Sequence, residues 1–145
     1  MKKIGEYTVK GTLPIASSER ITLFDGRFDT GYRIVKFQVA PTNNANADDA
    51  YAKLATSSDV DGVGHEWHWD SNVEIAWAKN ASTGGGAGGI LEFFIDPDNM
   101  VVEDLYIYSG TGADGNDTNY MIHMEKYDIT DWQGALAMVR NKSQA

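Results

Sequence analysis

Apolar and polar side chains alternate with period two along most of this 145-residue chain, in short runs broken by Gly, Asn, Asp and Pro. That is the pattern of antiparallel strands joined by turns, each strand burying one of its faces. The runs predict strands near residues 6–13, 20–25, 32–40, 50–56, 73–79, 90–96, 101–108 and 119–127. In the third, Val35, Phe37 and Val39 fall on one face while Lys36 and Gln38 fall on the other; in the fifth, Val73, Ile75 and Trp77 alternate with Glu74, Ala76 and Ala78. The run from Ile90 to Ile95 is more continuously apolar, as for a strand covered on both sides or lying at a subunit contact.

Turn chemistry marks the joints. Asp25-Gly26 and Asp114-Gly115 suit backbone positions with positive φ, and Asp96-Pro97-Asp98-Asn99 reads as a tight turn whose first corner is fixed by proline. Thr83 to Gly89 and Thr42 to Asp49 read as polar surface loops, neither long enough to divide the chain. Helical spacing is convincing only at the end, where Thr130 or Asp131 caps a short helix over about 130–141 carrying Leu136, Met138 and Val139. The expected fold is therefore mainly β: one domain over residues 1–145, an antiparallel β-sandwich of jelly-roll-like topology with about eight strands and a short C-terminal helix. A closed barrel is the alternative.

A domain of this length can bury roughly 70% of its unfolded-chain surface, so it needs no staples, and with no cysteine it has none. Lys2 and Lys3 resemble the start of an export signal, but Gly5, Glu6, Thr8, Lys10 and Gly11 interrupt the apolar stretch that should follow, so no export signal is expected. No apolar run approaches the roughly 20 residues needed to span a bilayer, so no membrane partner is expected.

The net charge of -9 is uneven. Residues 1–36 hold seven bases against four acids, which is +3 and leaves -12 for the rest, and between Lys79 and Lys126 there are eight acids and no base. Such a surface repels a phosphate backbone, so no nucleic-acid partner is expected.

The segment Gly64-His65-Glu66-Trp67-His68-Trp69-Asp70 carries the densest chemistry. If extended, it places Glu66, His68 and Asp70 on one face and His65, Trp67 and Trp69 on the other. Metal sites draw further ligands from elsewhere, and the only other histidine is His123, so the expectation is that the tryptophans fill core or interface space and no metal is bound. Asp59-Val60-Asp61-Gly62 opens like a calcium loop, but no glutamate closes it and no helices flank it; Asp114 to Asp117 reads equally as a solvated turn. The glycine-rich stretch 83–89 leads into an apolar strand without the lysine and helix of a phosphate cradle. No serine sits in a nucleophile elbow. Neither catalytic residues nor a cofactor are expected, and the chain reads as non-enzymatic.

Aromatic residues point to binding. Tyr51, Trp67, Trp69, Trp77, Tyr106, Tyr108, Tyr120, Tyr127 and Trp132 exceed what one small core needs, and Tyr and Trp are enriched at protein interfaces. Tyr106 and Tyr108, alternating with Leu105 and Ile107, form a candidate exposed strip for a sugar ring or a partner protein.

Four stretches, Asp25 to Arg33, Val73 to Ala78, Ile95 to Ile107 and Tyr120 to Asp128, followed by the closing helix, resemble small virion proteins of tailed phages of marine and freshwater bacteria. The resemblance implies a capsid decoration, cement or minor capsid protein, made in the host cytoplasm and assembled into the virion. It would bind the major capsid protein or another virion protein by protein–protein contacts, as a homo-oligomer, with no catalytic residue to carry over. The alternative from the residues is a carbohydrate- or receptor-binding sandwich module, tail- or fibre-associated, that uses its exposed aromatics.

Overall fold

The computed structural model describes residues 2–27, 29–43, 49–82, 89–110 and 117–129. The chain is mainly β. Its strands are β1 (Lys2–Leu13), β2 (Ser18–Ile21), β3 (Thr30–Pro41), β4 (Ala50–Ala55), β5 (Glu74–Ser82), β6 (Gly89–Ile95), β7 (Leu105–Ser109) and β8 (Thr118–Asp128). They form two antiparallel sheets, a three-stranded one in the order β1-β8-β3 and a five-stranded one in the order β2-β7-β4-β5-β6. The predicted C-terminal helix, Trp132 and the Asp114-Gly115 turn lie outside the described residues.

The sheets share one hydrophobic core. Strand β8 sends Tyr120, Ile122 and Met124 inward, and β3 adds Ile34, Phe37 and Val39; they meet Ala52 and Leu54 of β4, Ala76 and Ala78 of β5, and Leu105 and Ile107 of β7. Strand β3 lies against β4, β5 and β6, whereas β1, at the far edge, is mostly exposed. The period-two pattern is thus the pleat expressing itself: Leu105, Ile107 and Ser109 point in, and Tyr106 and Tyr108 are half-buried on the other face.

Local features correct the sequence expectation. A bulge between Ile34 and Lys36, where β3 slips against β8, removes Val35 from the predicted face: Ile34, Phe37 and Val39 are buried and Val35 is exposed. Strand β1 begins earlier than predicted and β2 ends at Ile21. Residues 101–104, predicted as strand, precede β7; Val101 makes a lone antiparallel bridge with Tyr32, 2.8 and 2.7 Å each way. The apolar run of β6 is an edge with Leu91, Phe93 and Phe94 exposed, so the described residues do not cover it on both sides.

The predicted turns at Asp25-Gly26 and Asp96 to Asn99 are present. Gly26 has φ of 88°, which a side chain would strain, and the Asn99 N–H donates to Asp96 O at 3.1 Å. Buried Asn99 then acts as a surrogate strand for β3 beside its bulge. Its Oδ1 accepts from the Ile34 N–H at 2.8 Å, and its Nδ2 donates to Ile34 O and Asp96 O at 3.2 and 2.7 Å. Replacing Asn99 with alanine leaves both buried Ile34 backbone groups without partners, so a loss of about 2 kcal/mol is expected in urea unfolding; a midpoint equal to wild type would contradict this clip.

Candidate functional site

The connection from β4 to β5, residues 56–73, folds over the outer face of the five-stranded sheet. Its mouth is closed by the Thr56 N–H donating to Val73 O at 2.9 Å. Within it, turns form where Glu66 N–H donates to Val63 O and Ser71 N–H to His68 O, at 2.9 and 3.1 Å. Its middle is seated by Gly64, whose N–H donates to Ser109 O at 3.1 Å, and the Tyr108 hydroxyl donates to Ser57 O at 3.3 Å.

Under this loop lies a buried ion pair. Lys53 and Glu74 are both within 2% of full burial. Lys53 Nζ donates to Asp61 O at 2.6 Å, Glu66 O at 2.8 Å and Glu74 Oε2 at 3.1 Å, which uses all three ammonium protons. Glu74 Oε1 accepts from the His68 N–H at 2.9 Å and from Trp77 Nε1 at 3.0 Å, and its Oε2 also accepts from His68 Nδ1 at 2.9 Å. One carboxylate therefore ties the loop to two strands, and the ring nitrogen that donates to it fixes the His68 orientation.

Burial pushes the Glu74 carboxyl up, but the hydrogen bonds from Trp77, the His68 backbone, Lys53 and the His68 ring outweigh it, and its pKa sits below the ordinary glutamate value. On the other sheet, the Lys126 ammonium 2.9 Å from Asp25 likewise holds that carboxyl low. A depressed folded-state pKa gives stability that is present above the unfolded value, about 4.3 for Glu and 3.9 for Asp, and is lost as pH falls through the folded value. Urea unfolding should therefore be nearly constant from about pH 7 to 5 and weaken progressively below about pH 4.5. A midpoint unchanged down to about pH 3 would contradict this.

On this seat the loop presents aromatic surface. Trp67 is half-buried, with Nε1 donating to Gly64 O at 2.8 Å and its ring edge-on to Phe94 at 6.2 Å. Trp69 is 64% exposed, with its ring 5.9 Å from buried Trp77 and 5.6 Å from Phe94 on the edge strand β6. Beside it opens a polar cavity of about 380 Å³ lined by Asp59, Val60, Asp61, His68, Asp70, Ser71, Val73 and Glu74.

The predicted one-face arrangement of Glu66, His68 and Asp70 is not formed, because the segment turns instead of extending. The Glu66 side chain folds back against Gly62, His68 turns down to Glu74, and Asp70 joins Asp59 and Asp61 on the cavity wall. His123 is on the other sheet, 3.1 Å from Thr8 Oγ1. Among the described residues no three His, Asp or Glu side chains are arranged to hold a metal ion. Tyr106 and Tyr108 are half-buried, and the loop over Tyr108 removes that residue from the predicted exposed strip.

Lys53 and Glu74 were not legible as a pair, since Glu74 reads as the solvent side of an alternating strand. The signal was a single charge within each of two apolar runs, Ala50 to Ala55 and Val73 to Ala78, because a charge in a buried strand needs a partner.

No protein-family model matches the chain, and no curated protein and no solved structure matches it either. Among the described residues, no helix is long and apolar enough to cross a membrane.

Proposed function

We propose that this chain is a non-enzymatic virion structural protein of capsid decoration or minor capsid type, assembled in the host cytoplasm, which binds the shell through protein–protein contacts. The observation that carries the proposal is the Trp67, Trp69 and Phe94 surface, held in place from below by a fully hydrogen-bonded buried ion pair. A large indole mostly in water loses solvation benefit unless something covers it, and tryptophans in pre-ordered settings are the residues that dominate protein interfaces. The resemblance of the chain to phage virion proteins supplies the partner: a shell protein present in many copies.

The strand order supports a jelly-roll-like sandwich as the scaffold. In an eight-stranded roll of that kind the chain doubles back on itself, pairing the first strand with the last, the second with the seventh and the fourth with the fifth; β1 with β8, β2 with β7 and β4 with β5 follow that scheme. Strand β6 departs from it by pairing with β5 in place of β3.

Purified particles sedimented with the protein test the proposal. Wild type should co-sediment, and Trp69→Ala should weaken that binding by about 2 kcal/mol or more, roughly 30-fold, with its melting temperature nearly unchanged because the side chain is exposed. No affinity for any shell protein would overturn it. A second reading, glycan binding, is favoured by the polar cavity beside Trp69; a glycan array hit together with no particle binding would select it.

A further inference from the structure

Strand β6 is one of the two edges of the five-stranded sheet, β2 being the other, and among the described residues it lacks the devices that usually protect such an edge. Gly89 to Ile95 contains no Lys, no Pro and no bulge against β5, and Leu91, Phe93 and Phe94 are all exposed. Its one charge, Glu92, is engaged by Lys79 of β5 at 3.5 Å.

We infer that this edge pairs with the same edge of a second copy of the chain, antiparallel about a two-fold axis at Phe93, making one ten-stranded sheet. Deepening the assembly proposal, the inference rests on it only for the setting. Charge selects the register. Opposite residues in an antiparallel pair lie on the same face, so a two-fold axis normal to the sheet must set one residue opposite its own copy, with the axis midway between them. Centred on Glu92, the pairing sets two glutamates against each other; centred on Phe94 or Ile95, it sets Glu92 against Asp96 or Asp98. Centred on Leu91, it slides Phe94 and Ile95 past Gly89, where the facing strand starts. Centred on Phe93, it sets Leu91 against Ile95, Glu92 against Phe94 and Phe93 against itself, with no like charges opposed. The exposed inner-face side chains Leu91 and Phe93 then continue an apolar row across the axis. Such an isologous contact closes as a dimer and leaves no open edge on β6. Trp69, on the loop, remains available for the shell.

The test uses the full-length protein in analytical ultracentrifugation, with cysteine variants reporting the register, because the chain has no cysteine of its own. Wild type should be a dimer, and Leu91→Lys/Phe93→Lys should be a monomer with an unchanged circular dichroism spectrum. Residues directly opposite in such a pair have Cα atoms about 4.5–5.5 Å apart, within disulfide reach. Phe93→Cys should therefore cross-link with itself under the oxidant diamide, and Phe94→Cys, which faces Glu92 of the second copy, should not. A wild-type monomer at every concentration, a lysine variant that stays dimeric, or cross-linking of Phe94→Cys in place of Phe93→Cys would overturn the inference. A monomer that still co-sediments with particles overturns the dimer and leaves the assembly proposal standing; cross-linked dimers without particle affinity do the reverse.

Discussion

Glu74→Ala should cost about 3–5 kcal/mol, the range for stripping one partner from a buried ion pair. Small domains have only about 5–15 kcal/mol of net stability, so a large share of it disappears. The cost is high because one carboxylate serves four donors: Lys53 Nζ, the His68 N–H, His68 Nδ1 and Trp77 Nε1. Removing it leaves an ammonium with no counter-charge in a site where both side chains are almost fully buried. Lys53→Met combined with Glu74→Leu should recover part of the loss, since no lone charge remains, yet stay below wild type. The carbonyls of Asp61 and Glu66 would still lack their donor. Urea unfolding of Lys53→Met, Glu74→Leu and the double variant gives the coupling directly; additive single losses would contradict a paired network.

The second large effect is expected at Gly64. A Cβ built there would stand 2.2 Å from Tyr108 O, 2.6 Å from the Ser109 carbonyl carbon and 2.7 Å from the Gly110 nitrogen. All three are backbone atoms, and they belong to or adjoin β7, which is pinned between β2 and β4. The sheet cannot yield, so in Gly64→Ala the loop must lift. That would break the Gly64 to Ser109 hydrogen bond and unseat Trp67, whose indole donates to the Gly64 carbonyl. A loss of about 2–3 kcal/mol, at the upper end for overpacking, is expected. Amide exchange should quicken across residues 56–73 more than in β8. Equal protection in wild type and variant would contradict the seating of the loop by this contact.

What the sequence revealed follows from which forces are local. Strand positions were legible because the pleat imposes a period of two wherever one face is buried, as at Tyr120, Ile122 and Met124. The turn at Asp96 to Asn99 was legible because proline and the Asx residues act within four positions. Val35 was misplaced because a bulge depends on the register of β3 against β8, two segments separated by most of the chain. Residues 101–104 look like strand, but Val101 makes an isolated bridge with Tyr32 and the pairing with β4 begins further on.

The candidate site was half legible. Its tryptophans and histidines stood out by composition, but their arrangement hangs on Glu74 and Lys53, and two residues 21 positions apart in sequence give no local sign of meeting. The predicted alternation of Val73 to Ala78 is broken by a bulge at Ile75, where β5 slips against β4, so Glu74 shares the outer face with Trp77 while Ala76 and Ala78 point to the core. The loop between β4 and β5 covers that outer face, so the whole stretch is buried.

The central claim is that the aromatic surface of the 56–73 loop, held firm by the pair beneath it, exists to be covered by another protein. A cryo-EM map of native particles containing this chain tests it most directly. The expected result is density in which Trp67, Trp69 and Phe94 lie against a shell protein; particles in which that surface faces open solvent would contradict it.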